Sequence, residues 1–330
     1  MKPLVYPPSL CPGDRVVIVS PSGRVDPAYL VGARRRLESW GLEVQTAPHA
    51  AGSYATFAGT VDERLADLQA AMDDPVAKAI LCSRGGYGAV HLLNSLDFTH
   101  FRQHPKWLIG FSDITALHCL FQSQGFASLH SLMAKHLTLD PEDHLPLRCL
   151  QSILFGSSPQ GEPILTYRKP RHTLDHLGCA RGILRGGNFA VAYGLRATPY
   201  DIPPEGTVLF LEDVGERPHA VERMMYNLKL SGVLSRLSGL IIGQFTEYEE
   251  QGQLGKDLYG ALSDLLSGYD YPVAFDFPVG HRFSMNLPLI CGAPITLEVG
   301  SLETTLRFPL TAGQARLESS LPPSPSLQQV

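Results

Sequence analysis

No apolar run in this 330-residue chain approaches the roughly 18 residues that a membrane-spanning helix needs. The opening Met1-Lys-Pro-Leu-Val-Tyr-Pro-Pro also lacks the apolar centre of a secretory signal. The expectation is therefore a cytoplasmic protein with no membrane partner. Cys11, Cys82, Cys119, Cys149, Cys179 and Cys291 are scattered, with no Cys-x-x-Cys spacing. That argues against a disulfide framework or a zinc site, and leaves most of them as small buried hydrophobes. No His-x-x-x-His pair carries a glutamate beside it, so no metal is expected. Charged residues make up only 18% of the chain and the net charge is -5, which gives no basic face for nucleic acid.

What the chain does have is apolar sequence, 44% of its residues, and enough length for two domains with separate cores. Pro12-Gly-Asp-Arg-Val-Val-Ile-Val-Ser-Pro-Ser-Gly23 reads as a turn, a strand and a second turn. Its unbroken Val and Ile suit a strand covered on both faces of a parallel sheet. A helix follows over Pro27 to Trp40, closed by Gly41, and then a strand over Leu42 to Thr46. Thr60-Val-Asp-Glu63 is a capping-box signature ahead of a helix with Leu65, Leu68 and Met72 on one face. Strands over Ala77–Cys82 and Trp107–Phe111 alternate with helices over Gly88–Leu96 and Asp113–Gln122. This alternation predicts an α/β fold, beginning with a doubly wound parallel-sheet domain whose ligand lies at the carboxyl ends of its strands.

Between about Leu154 and Leu177 no apolar period survives, and a linker is expected. Beyond it, Gly182-Ile-Leu-Arg-Gly-Gly-Asn188 reads as a strand and a glycine turn, and strands are expected at Thr207–Asp213, Gly239–Phe245, Val273–Val279, Pro294–Val299 and Thr304–Phe308. Helices are expected at Pro218–Leu230 and Leu254–Leu266. The resulting division is an N-terminal α/β domain over 1–155, a linker over 156–177, a strand-rich mixed α/β domain over 178–312, and a mobile tail over 313–330.

Lys106-Trp-Leu-Ile-Gly-Phe-Ser-Asp-Ile-Thr-Ala-Leu-His118 organises the site. A strand that delivers a serine onto a sharp turn before a helix is how nucleophilic hydroxyls are presented in α/β hydrolases, and Ser112 holds that place. A Ser-Asp helix cap is the commoner role for such a pair. Acyl transfer by serine also needs a base, an acid to orient the base, and donors for the oxyanion. His281 directly follows a predicted strand through Gly280 and is the candidate base; His130 is its rival, and His118 reads as a core histidine. Glu212 and Asp213 both end one strand and point to opposite faces, so only one can orient the base, and periodicity leaves the choice open. The oxyanion donors expected are the Asp113 amide with that of Gly85 or Gly86, in the turn Arg84-Gly-Gly-Tyr-Gly88. A dinucleotide fingerprint is disfavoured there because the third glycine is missing.

These motifs occur in the order found in the LD-carboxypeptidases, which the chain resembles from about Pro12 to Val299. That family of serine peptidases includes muramoyltetrapeptide carboxypeptidases and microcin-immunity peptidases. The resemblance implies a Ser-Glu-His triad, which falls on Ser112, Glu212 and His281; the oxyanion donors taken beside it are the amides of Gly86 and Asp113. It implies a homodimer with its site at the domain junction, no cofactor, and release of D-alanine from murein tetrapeptide in cytoplasmic recycling. Arg84 and Gly85 are weaker candidates for substrate contact. Two departures, His130-Ser-Leu-Met133 and the segment 282–291, bear on specificity. The alternatives are a peptidyl-nucleotide amide hydrolase of the microcin type and an inactive murein-peptide-binding protein.

Overall fold

The computed structural model describes residues 5–156, 164–250, 254–282 and 285–309. The chain divides into two compact units, Met1–Glu162 with Asn286–Gly292, and Pro163–Met285 with Ala293–Val330. Each is built on one sheet.

In the first unit the strands are β1 (Arg15–Val19), β2 (Glu43–Thr46), β3 (Ala77–Cys82), β4 (Trp107–Gly110) and β5 (Ser128–His130), joined by β11 (Leu289–Cys291). The order is β11-β5-β4-β3-β1-β2. Every pairing among β1 to β5 is parallel, and β11 lies antiparallel to β5 with Leu289 opposite His130. Val16 to Val19 and Ala79 to Cys82 are buried, as strands covered on both faces should be. Helix α1 (Pro27–Ser39) starts with Asp26 accepting from the Ala28 amide, and Gly41 follows it at positive φ. Helix α2 (Val61–Asp73) has the expected capping box, Thr60 Oγ1 accepting from the Glu63 amide while Glu63 accepts from that of Thr60. Helix α3 (Thr115–Ser123) follows a single 3₁₀ turn at Ser112–Ile114.

Two expectations in this unit need correction, and two helices form where none is expected. The helix expected over 88–96 is only a 3₁₀ turn at Ala89–Leu92. The unexpected helices are α4 (Ala134–Leu139) and α5 (Leu145–Phe155). Residues 286–292 were expected in the C-terminal domain, yet they complete the first unit.

The second unit carries β6 (Ile164–Pro170), β7 (Gly178–Asn188), β8 (Thr207–Val214), β9 (Gly239–Thr246), β10 (Val273–Ala274), β12 (Pro294–Val299) and β13 (Glu303–Pro309). Their order is β10-β9-β8-β7-β12-β13-β6, parallel from β10 to β7 and antiparallel beyond. Helix α7 (Pro218–Leu230) buries Val221, Met224, Met225 and Leu228, and α8 (Leu258–Leu266) buries Leu258, Leu262, Leu265 and Leu266. Both pack into one core with Leu209, Leu211, Leu240 and Ile242 of the sheet, so the methionine pair is core. Helix α6 (Phe189–Gly194) is capped by Asn188.

The expected linker over 156–177 holds β6. Its apolar alternation is broken by Lys169, which takes an inward slot because its ammonium pairs with buried Asp175 at 3.1 Å. The strand expected over 273–279 pairs only at Val273–Ala274, and Asp276 then turns the chain with φ of 47°. The tail expected over 313–330 lies outside the described residues. All six cysteines are free thiols; Cys82, Cys119, Cys149 and Cys291 are buried, whereas Cys11 and Cys179 are exposed. Among the described residues no helix is long and apolar enough to cross a membrane.

Candidate active site

In the first unit, β4 ends at Gly110 and the chain turns sharply at Ser112, whose φ is 64°. A side chain in that left-handed region costs on the order of 1–3 kcal/mol, strain characteristic of functional turns. Its surroundings hold it there. The Gly110 carbonyl accepts from the Ser131 amide at 3.0 Å and from His118 Nε2 at 2.8 Å. His118 is wholly buried and receives Ser128 Oγ on Nδ1 at 2.9 Å; burial drives its pKa down to about 4, so the ring is neutral. It is the core histidine that its sequence position suggests. Ser112 itself stays partly accessible and opens the 3₁₀ turn that leads into α3.

The glycine turn lies against this serine. A methyl group on Gly85 would come within 2.7 Å of Ser112 Cβ, 2.9 Å of its Oγ and 3.2 Å of the Asp113 amide nitrogen. The glycine is therefore demanded by close approach. Asp113 is buried, and its Oδ2 accepts from the Ala89 amide at 2.8 Å, which ties the turn at Ser112 to the glycine turn. Arg84 is exposed and donates to the Arg24 carbonyl at 2.7 Å, an anchor on main chain.

His130 ends β5 with no exposed surface, its ring edge-on to Phe111 at 5.7 Å. Its rival role would require a ring enclosed in the core to reach substrate.

The second unit presents the other candidates. Glu212 lies near the end of β8, between β7 and β9, directly opposite Asn188. Leu211 faces Ile242 and Asp213 faces Phe245, so β9 sets two residues, Gly243 and Gln244, against Glu212 alone. Such a bulge re-aims side chains beside functional sites. Gln244 also bridges to Gly280, and its amide donates to the Val279 carbonyl at 2.9 Å, so the chain leading to His281 is docked on the bulge. His281 Nδ1 meets Glu212 Oε2 at 2.7 Å.

Alternation left two acids open, and the geometry separates them. Glu212 is fully buried and faces the imidazole. Asp213 points the other way, accepting from Asn188 Nδ2 at 2.9 Å, the Ala190 amide at 2.8 Å and the Val214 amide at 2.8 Å. It thereby shares the start of α6 with Asn188. Burial raises the Asp213 pKa to about 6 against the pull of these donors. For His281, burial acts to lower the pKa, but the charge and hydrogen bond of Glu212 outweigh it and the net shift is upward. With Nδ1 donating to the carboxylate, the neutral ring carries its basic lone pair on Nε2, the arrangement a general base needs.

Each unit thus assembles one expected group: Ser112 with Gly85 and Asp113 in the first, Glu212 with His281 in the second. Segment 282–291 spans both units, with 283 and 284 outside the described residues, and its last three residues form β11. The bulge at Gly243-Gln244 had no clear sequence signal beyond a glycine inside a strand. Among the described residues no group of three or more His, Cys, Asp or Glu could hold a metal ion.

Two family models match the chain, one described as the LD-carboxypeptidase N-terminal domain over residues 16–131 and the other as the LD-carboxypeptidase C-terminal domain over 181–297. A putative carboxypeptidase of Streptomyces coelicolor is 36% identical over 313 residues, covering 92% of this chain and 96% of that protein. The murein tetrapeptide carboxypeptidase of Pseudomonas aeruginosa is 30% identical, over 81% of this chain and 88% of its own. The crystal structure of muramoyltetrapeptide carboxypeptidase from Oxalobacter formigenes superposes with a TM-score of 0.80 at 26% identity, covering 89% of this chain and 98% of that one.

Proposed function

Because the chain belongs to the LD-carboxypeptidase family, we propose that it is a serine-type carboxypeptidase with Ser112 as nucleophile and His281, oriented by Glu212, as general base. The observation that carries the reading is the 2.7 Å contact between His281 Nδ1 and Glu212 Oε2, which fixes the tautomer the reaction needs. Neutral His281 takes the Ser112 proton on Nε2 as the serine oxygen attacks the scissile carbonyl. The amides of Asp113 and Gly86 stabilise the oxyanion. Protonated His281, its charge favoured by Glu212, gives the proton to the leaving amine, and water then hydrolyses the acyl-enzyme by the same route. Ser112 regains its proton and the cycle closes.

The substrate in this reading is a murein tetrapeptide, cut at its L,D bond to release terminal D-alanine in cytoplasmic recycling of the wall. The names of the Pseudomonas aeruginosa and Oxalobacter formigenes proteins support that choice. Arg84 and Gly85 are the candidates for substrate contact, and a homodimer is the expected assembly.

An activated fluorophosphonate and a synthetic murein tetrapeptide test the proposal together. The probe should label Ser112, and mass spectrometry should show the tetrapeptide shortened by one alanine. Absence of labelling in folded protein would make the chain a binding module. If Ser112→Ala kept its turnover while His130→Ala lost it, the assignment of nucleophile and base would be wrong.

A further inference from the structure

Arg64 stands in the first turns of α2, is only 2% exposed, and has no part in the scheme above. Its Nε donates to the Gly59 carbonyl at 3.2 Å, and its Nη1 to the carbonyls of Pro21 at 2.6 Å and Gly88 at 2.9 Å. Nη2 meets His91 Nδ1 at 3.2 Å, and the guanidinium lies over the Phe57 ring, 5.0 Å from its centroid. Its hydrogen-bond partners are thus three main-chain carbonyls and an imidazole nitrogen, with no carboxylate among them. The nearby carboxylate of Asp113 acts on it through space, offsetting part of the lowering of its pKa by burial. Burying a cation with no carboxylate bonded to it is a costly way to fill a helix position.

What the arginine achieves is mechanical. Pro21 belongs to the loop after β1, Gly59 to the loop before α2, and Gly88 to the glycine turn after β3, so one planar fork joins three loops. The Gly88–Ala89 peptide is gripped on both sides, its carbonyl by Arg64 and its N–H by Asp113, the residue after the nucleophile. The near end of the turn is fixed as well, since the Gly23 amide donates to the Gly85 carbonyl at 2.9 Å.

We propose that Arg64 is a positioning residue for the reaction, which fixes the glycine turn so that the Gly86 amide faces the oxyanion formed at Ser112. The inference rests on the serine-peptidase reading. It separates Arg64 from an ordinary stabilising residue, whose loss would lower stability without touching the chemical step.

The test uses the full chain with Arg64→Met, and Arg64→Lys, which keeps the buried charge but not the fork. Four quantities are compared with wild type: hydrogen exchange of a peptide covering residues 84–92, the rate of fluorophosphonate labelling at Ser112, and kcat and KM for murein tetrapeptide. In Arg64→Met, labelling and kcat should fall on the order of 10²-fold, as expected for an oxyanion donor displaced by about 1 Å. KM should move less than about threefold, because ground-state binding is not what is lost. Exchange over 84–92 should accelerate while peptides from β8 and β9 keep their rates. Arg64→Lys should recover at most part of each loss, and it carries the comparison if the methionine variant does not fold. A folded variant with wild-type labelling, kcat and exchange would overturn the proposal. If wild-type protein neither labels nor turns over, the serine-peptidase reading falls, and unchanged exchange in the variants would still refute the clamp.

Discussion

The two sheets present their candidate functional groups by different means. In the first unit the device is main chain: a strained serine, a glycine turn pressed against it, and carbonyls and amides held by Arg64, His118, Ser131 and Asp113. In the second it is side chain: one buried carboxylate on a bulged strand and one imidazole, joined by a single hydrogen bond. A main-chain device has many supports and yields to changes of shape. A side-chain device has few supports and yields to changes of chemistry. Isosteric substitutions should therefore be worst in the second unit, and small additions of volume worst beside the serine.

The largest effect expected is at Glu212. Glu212→Gln keeps shape but loses the charge and the tautomer control, and turnover of murein tetrapeptide should fall on the order of 10⁴-fold. Asp213→Asn alters the adjacent acid on the opposite face. It should cost about 1–3 kcal/mol in urea unfolding, because one of the two oxygens that accept from Asn188 and from the Ala190 and Val214 amides becomes a donor, with turnover within about tenfold of wild type. Equal losses of turnover from the two would erase the distinction between them. Next comes Gly85→Ala, whose added methyl has no room beside Ser112 and should cost on the order of 10² in labelling and turnover. If Gly85→Ala were silent, the description of the first unit as a close-packed main-chain device would fail.

The smallest effect is the dependence on pH. The His281 pKa is raised above its ordinary 6.5, so the acid limb of kcat/KM should inflect above 6.5 and move down in Glu212→Gln. Stability follows the opposite direction from activity. The fold favours the imidazolium, so the contribution of this pair to stability is complete below the ordinary histidine value and is lost as pH rises through the folded value. Thermal unfolding of wild type and Glu212→Gln across that window measures it, and a difference that grew with pH would contradict the sign.

The main-chain device was partly legible because its parts are contiguous in sequence: the strand Trp107–Gly110, the serine after it, and the glycines of Arg84-Gly-Gly-Tyr-Gly88. Arg64 left no such signal. An arginine in a capped helix reads as solvated surface, and nothing local shows that three carbonyls from distant loops converge on it. For the second device, alternation placed Glu212 and Asp213 on opposite faces but could not say which face held His281, because that depends on a bulge in β9 and on pairing between residues far apart in sequence. Strand β6 escaped notice because Lys169 fills an inward slot, and its charge is matched only by Asp175. Helices and central strands, whose burial is governed by nearby periodicity, were read more completely, as Pro218–Leu230 and Thr207–Val214 show.

Strand β11 has a consequence for how the molecule comes to exist. Leu289, Ile290 and Cys291 pair with His130, Leu129 and Ser128, so the edge of the first sheet is closed by residues more than 150 positions later in the chain. During synthesis the first unit must wait with β5 uncovered until residues 289–291 have left the ribosome. An open strand of this kind is a template for pairing with other chains. A fragment ending at residue 162 would carry Ser112 and its glycine turn but keep that edge open permanently, so it should be recovered as aggregate instead of as an independent module. Gene fusions and truncations of this protein therefore have to respect a boundary that is crossed three times, at 162, 285 and 292.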